Sequence, residues 1–217
     1  MAKTNLQTLK GFRDFLPKLA LTRQKNMKKT FLYIDGTNLL AGLIDIFGYN
    51  KVPSFSSIVK LISKYHKIDQ IFFYASYTSS KNVTNLKIKK QIGLEIDFFK
   101  EVRKQKKLTF YQGYRSPTSK KEKGVDVHLA VDMVKHAFLK KFNEAIIFSG
   151  DADFEYSVEI LRNIGLPVYA FFLPNRFSLA IAYKSISPKV LDYNESFKNI
   201  KLRKKIDKLK IIKIKKI

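Results

Sequence analysis

Five short runs of β-branched and aromatic residues, each separated from the next by a stretch with helical spacing, constrain this chain more than any other feature. The runs are Phe-Leu-Tyr-Ile-Asp at 31–35, Gln-Ile-Phe-Phe-Tyr-Ala-Ser at 70–76, Leu-Thr-Phe-Tyr-Gln at 108–112, Ala-Ile-Ile-Phe-Ser at 145–149 and Pro-Val-Tyr-Ala-Phe-Phe-Leu at 167–173. They are continuously apolar, as strands buried on both faces are. The intervening segments 38–47, 55–66, 82–105, 125–141 and 154–164 have the spacing of helices; in the fourth, Val127, Val131, Val134 and Phe138 form one apolar stripe. Strands alternating with helices predict an α/β fold of the Rossmann-like, three-layer kind, with a parallel five-stranded sheet between two helical layers.

At 217 residues the chain is long enough for one such domain with a basic segment at each end. The expected division is an N-terminal extension over 1–27, the α/β domain over 28–195 and a C-terminal tail over 196–217. Formal net charge is +24, and it is concentrated at the ends: residues 1–29 carry eight basic residues and one acid, residues 198–217 ten and one. Such a surplus points to a polyanionic partner, nucleic acid before an anionic membrane surface. In the tail, Leu202, Ile206 and Leu209 would share a helical face. Cysteine is absent, so any metal must be held by oxygen or imidazole. No apolar run approaches the ~20 residues of a membrane span, nor does the N-terminus carry the apolar stretch of a secretory signal. The expectation is a cytoplasmic protein with no integral membrane association.

In an open α/β sheet, ligands bind beyond the carboxyl ends of the strands, where the strand order reverses. With the order 3-2-1-4-5, the first and fourth strands are neighbours at that reversal. The first ends in Asp35-Gly-Thr-Asn38 and the fourth in Ser149-Gly-Asp-Ala-Asp153, so both acidic ends face one crevice. Asp126 opens the helix leading into the fourth strand and starts on the same side. Carboxylates converging in one crevice repel one another unless a cation neutralises them or some take up protons, and a hard divalent cation such as Mg2+ or Mn2+ is the simplest partner. Acids in the crevice of an otherwise basic protein suggest a nuclease, in which Lys and Arg hold the phosphate backbone while Asp35, Asp126, Asp151 and Asp153 hold metal. Asn38, with Ser149 or Thr37, would orient a carboxylate or a bound water. Residues 113–124 read as an exposed polar loop, whose Arg115, Lys120, Lys121 and Lys123 are the candidate contacts to nucleic acid; Tyr111, Tyr114 and Arg115 would stack on RNA bases.

Three blocks carrying this argument, Tyr33-Ile-Asp-Gly-Thr-Asn-Leu39, Lys123-Gly-Val-Asp-Val-His-Leu-Ala-Val-Asp132 and Ser149-Gly-Asp-Ala-Asp-Phe154, resemble those of the NYN domain family, a relative of the PIN-domain nucleases. The resemblance spans about residues 28–192. It implies a PIN-like fold and Mg2+- or Mn2+-dependent ribonuclease activity, with Asp35, Asn38, Asp126, Asp151 and Asp153 at the catalytic positions. Single-stranded RNA is the implied substrate, with DNA as the alternative. Oligomeric state stays open, a homodimer included. Many relatives carry an Asp shortly after the fifth strand, where this chain reads Ala182-Tyr-Lys184.

Other readings compete with this one. Asp126, Asp151 and Asp153 all stand where helix caps are expected, whereas Asp35 ends a strand, where a cap alone does not account for it. His128, Asp132 and His136 recur at i, i+4 and i+8, a spacing that suits a metal but also a charged solvent face. Ile34-Asp-Gly-Thr37 is similar to the first motif of haloacid-dehalogenase-type phosphatases, but their nucleophilic Asp is replaced here by Tyr33, which cannot form the aspartyl phosphate. A non-catalytic RNA-binding module on the same fold is the remaining alternative.

Overall fold

A computed structural model of the chain describes residues 28–49, 52–78, 84–115, 122–197, 206 and 208–214. Strand β1 (Thr30–Asp35) leads into α1 (Gly36–Phe47) and α2 (Phe55–Ser63), followed by β2 (Gln70–Ala75), α3 (Leu86–Arg103) and β3 (Leu108–Gln112). A small antiparallel hairpin, β4 (Tyr114–Arg115) with β5 (Glu122–Lys123), then delivers the chain to α4 (Val125–Phe138) and β6 (Glu144–Phe148). Beyond β6 come a 3-10 turn (Ala152–Phe154), α5 (Glu155–Asn163), β7 (Val168–Phe172), α6 (Leu179–Lys184), β8 (Lys189–Tyr193) and β9 (Lys210–Ile214).

The main sheet is parallel throughout, with the order β3-β2-β1-β6-β7-β8-β9. Its first five members are the predicted strands in the predicted order. The sheet is two strands wider than expected, because β8 and β9 extend one edge. β1 is central, and its side chains alternate between two cores: Phe31 and Tyr33 face the layer of α4, α5 and α6, while Leu32 and Ile34 face that of α1, α2 and α3. A strand buried on both sides has no polar face to alternate with, which is why the run reads as continuously apolar.

Two expectations are overturned. The tail does not present a helix at Leu209: residues 210–214 form β9, in register beside β8, with Ile206 and Leu209 buried just before it. Alternating Lys and Ile suits an edge strand, where lysines blunt the exposed ladder. In α4, Val127, Val131 and Phe138 of the expected stripe face solvent and Val134 is only partly buried against the core, whose main face is Val125, Leu129, Met133, His136 and Ala137. Both faces of this helix are apolar in sequence. Gly124 stands in the N-cap position with a left-handed backbone (φ 80°), which glycine adopts without strain.

Candidate active site

The carboxyl ends of β1 and β6 are stapled together by hydrogen bonds among the predicted residues. Asp35, 3% exposed, ends β1 and caps α1, its Oδ1 accepting the Asn38 backbone N–H at 3.0 Å. The strand end therefore does serve as a cap, contrary to the reading that set Asp35 apart. Its second oxygen, Oδ2, accepts the Ser149 hydroxyl at 2.9 Å. The Ser149 Oγ in turn accepts the Asp151 N–H at 3.0 Å, and the Asn38 Oδ1 accepts the Gly150 N–H at 3.1 Å. Asp151 caps the 3-10 turn by accepting the Asp153 N–H at 3.0 Å. Asp35, Asn38, Ser149, Asp151 and Asp153 thus belong to one bonded chain that crosses the point where the sheet order reverses.

Two glycines make this approach feasible. A Cβ on Gly36 would lie 2.1 Å from the Phe73 ring, and one on Gly150 would lie 2.4 Å from the Arg176 carbonyl carbon. Arg176 belongs to the loop after β7, which is tied back to α1 by an Arg176–Asp45 ion pair at 2.7 Å and by the Asn175 amide donating to the Gly42 carbonyl at 3.0 Å.

Asp126 lies in the first turn of α4, exposed, with Gly124 rather than Asp126 in the cap position. A carboxylate there is favoured by the unpaired N–H groups and the positive pole of the helix. The chain reaches this turn from the carboxyl end of β3, and α4 packs on β1, β2 and the 3-10 turn, so Asp126 enters from the site's end of the sheet. Of the loop cations, Arg115 and Lys123 lie in the β4–β5 hairpin that feeds α4; Lys120 and Lys121 lie outside the described residues.

A second polar layer under α4 was not foreseen. The Tyr74 hydroxyl donates to Asp132 Oδ2 at 3.0 Å, and the Tyr33 hydroxyl lies 3.0 Å from His136 Nδ1. Burial, reinforced by the Asp132 charge, keeps both phenols protonated, and burial pushes the His136 imidazole below its usual range. Tyr74 stands beside Asp35 in the β1–β2 register, so this layer supports the site from below. His128 instead stacks on Tyr111, with ring centroids 4.1 Å apart. The His128, Asp132 and His136 series is therefore divided among separate partners and forms no metal face. Glu95 was missed too: buried on α3, it accepts the Thr78 hydroxyl at 2.7 Å and fixes the loop beyond β2. Only the contact reveals it, since its sequence surroundings carry no strand-end signal.

In the Ala182-Tyr-Lys184 segment after β7, Lys184 contacts Glu155 at 3.1 Å and Glu159 at 2.5 Å. Hydrogen bonds to Glu159 and then Glu155 raise its pKa above the ordinary lysine value.

Among the described residues, no three His, Cys, Asp or Glu side chains form a group able to enclose a metal ion. The donor set does fit a hydrated one. Asp35 is oriented at the strand end by hydrogen bonds to both of its oxygens, from the Asn38 N–H and the Ser149 hydroxyl. Mg2+ characteristically keeps several waters and binds through one or two carboxylates together with substrate phosphate.

A solved structure of a protein of unknown function from Vibrio parahaemolyticus RIMD 2210633 is similar in fold, with a TM-score of 0.53 at 13% identity, the match covering 79% of this chain and 97% of that one. Among curated proteins there is no match. The NYN domain model matches residues 29–201, a span that contains all three acidic blocks and every strand of the main sheet but β9, and the chain belongs to the NYN domain family.

Proposed function

We propose that this chain is a Mg2+- or Mn2+-dependent endoribonuclease that hydrolyses phosphodiester bonds of single-stranded RNA in the cytoplasm. The observation carrying this reading is the buried Asp35, fixed by Asn38 and Ser149 and joined through the Ser149 hydroxyl to Asp151. Membership of a family of nuclease-like domains supports it, as does a net charge of +24 suited to a polyanion.

Asp35 and Asp151 would hold the cation, with Asp126 and Asp153 contributing from the exposed helix starts. When bound, the cation polarises the scissile phosphate and lowers the pKa of the attacking water. Ser149 positions Asp35 and Asp151, donating to one side chain and accepting from the backbone of the other. Asn38, whose carbonyl oxygen is engaged by Gly150, has its NH2 group to donate to a phosphate oxygen. Arg115, Lys120, Lys121 and Lys123 hold the strand by its phosphates, so raising the salt concentration weakens binding.

The test is an RNA-cleavage assay with Mg2+ or Mn2+ against EDTA. Asp35→Asn and Asp151→Asn are expected to abolish metal-stimulated cleavage while the chain still melts cooperatively. A wild-type protein that binds RNA but cuts nothing on a broad panel would replace the enzyme with a binding module.

A further inference from the structure

Two large aromatic side chains stand out of the surface beside the acidic residues. Tyr156, in the first turn of α5, is 70% exposed, and Tyr183, near the end of α6, is 56% exposed. Neither makes a hydrogen bond or ring contact with another of the described residues. Their helices are locked together by Lys184, and the placement of that lysine links the rings. It bridges Glu155, which precedes Tyr156, and Glu159, one turn further along the same helix, while Tyr183 is its own neighbour in sequence. Both α5 and α6 pack against the 3-10 turn that carries Asp153. The partly exposed Leu179 adds an apolar side chain at the start of α6.

The charge at this rim is the wrong sign for gripping a phosphate backbone. Asp151, Asp153, Glu155 and Glu159 bring four carboxylates within nine residues, and Lys184 is already held by two of them. The overall +24 attracts a polyanion to the molecule, but close to the acids that attraction is cancelled. Holding a strand here requires uncharged contacts. Exposed aromatic faces supply them, because every nucleobase has a π-face that stacks on a tyrosine ring regardless of sequence. Bases paired within a duplex are stacked on one another and cannot be splayed onto such rings.

We infer that Tyr156 and Tyr183 form a base-stacking platform at the rim of the acidic site, which receives unpaired bases flanking the scissile phosphate and thereby selects single-stranded over duplex RNA. The inference rests on the proposed nuclease reading and deepens it, assigning substrate discrimination to two residues outside the acidic set.

The chain contains no tryptophan, so Tyr156→Trp and Tyr183→Trp each introduce a single fluorescent reporter. With EDTA present to prevent cleavage, binding of a labelled, unstructured RNA of about twelve nucleotides is followed by anisotropy. Expected results are a 5- to 100-fold weaker affinity, roughly, in Tyr156→Ala and in Tyr183→Ala, near-wild-type affinity in the Phe variants, and unchanged affinity for a blunt duplex. Tryptophan emission should be quenched by the single strand and not by the duplex. The Phe variants and the melting profile separate loss of stacking from loss of fold. Ala variants that bind the single strand as wild type does, with tryptophan emission unmoved, overturn the inference and leave the nuclease reading intact. Self-association that disappears in the Ala variants also overturns it, by giving the rings to a second copy of the chain. A wild type that binds no RNA at all sinks the nuclease reading itself.

Discussion

The two ends of the parallel sheet each bury a carboxylate, and they treat it differently. At the amino end, Glu144 is paired with the Lys28 ammonium and also accepts hydroxyls from Thr30 at 3.3 Å and Tyr169 at 3.4 Å. At the carboxyl end, Asp35 accepts a backbone N–H and a serine hydroxyl, both neutral, and among the described residues no Lys or Arg pairs with Asp151 or Asp153. A cation partner neutralises a carboxylate and makes it structural. Neutral donors fix a carboxylate's direction without neutralising it. Burial alone does not tell the two acids apart, since both are buried.

Exchanging charge for amide at each end is the strongest way to break that contrast. Asp35→Asn or Asp151→Asn should lower metal-stimulated cleavage by about 10³-fold or more, with several kcal/mol of transition-state stabilisation lost. Glu144→Gln should leave cleavage within about threefold and lower the unfolding free energy by roughly 1 kcal/mol, measured by urea melts. If Glu144→Gln costs as much activity as Asp35→Asn, the division of labour between the two ends is wrong. Ser149→Ala sharpens the same comparison with a smaller effect. It removes the hydroxyl that orients Asp35 and accepts from Asp151, so cleavage should fall about 10- to 100-fold, as when an outer partner of a metal ligand is lost. An accompanying rise in the metal concentration needed for half-maximal rate would mark the serine as a positioning residue.

The carboxyl-end half of this contrast was legible in the sequence, because it rests on strand ends. β1, β2, β6 and β7 are largely buried on both faces, and such strands announce themselves as unbroken apolar runs, whereas β3, expected to be buried on both faces too, is the sheet's edge and only partly covered; once the order is known, Asp35 and Asp151 must be neighbours. β8 escaped notice because two of its five residues, Lys189 and Asp192, are polar yet buried. β9 escaped because its lysines read equally well as a helix face or a solvated end. α4 misled in the opposite direction: two apolar faces were available, and only tertiary packing decides which is covered. Nor does the local sequence explain Gly36 and Gly150, whose need for a missing side chain comes from Phe73 and Arg176 in other elements.

β9 offers a mechanical test of the corrected tail. Ile206 and Leu209 are buried, and truncating either to Ala should cost about 2–4 kcal/mol of stability while leaving the acidic site's chemistry unaltered at temperatures where the fold persists. A tail that merely frayed in solvent would tolerate both changes within about 0.5 kcal/mol.

A modest effect belongs to the amino end and concerns pH. Lys189 is buried at the start of β8, its Nζ 5.3–5.7 Å from the Tyr65, Tyr169 and Phe171 rings and donating to the Ser187 carbonyl at 3.0 Å. Burial first, and then the Lys210 ammonium, push its pKa down to about 8, whereas the unfolded chain keeps the ordinary value of 10.5. Below pH 8 the lysine is protonated in both states, and the folded state bears the full cost of enclosing the charge. Between pH 8 and 10.5 the unfolded state binds more protons, so stability must rise with pH across that window. The rise should amount to about 1–2 kcal/mol after allowance for solvent screening, superimposed on other titrations, including that of Tyr169. Subtracting the profile of Lys189→Met isolates it. The Met variant should be the more stable protein near neutral pH, and its advantage should fade toward pH 10.5. A constant difference between the two profiles would mean that Lys189 keeps its proton throughout and that the rings compensate its charge.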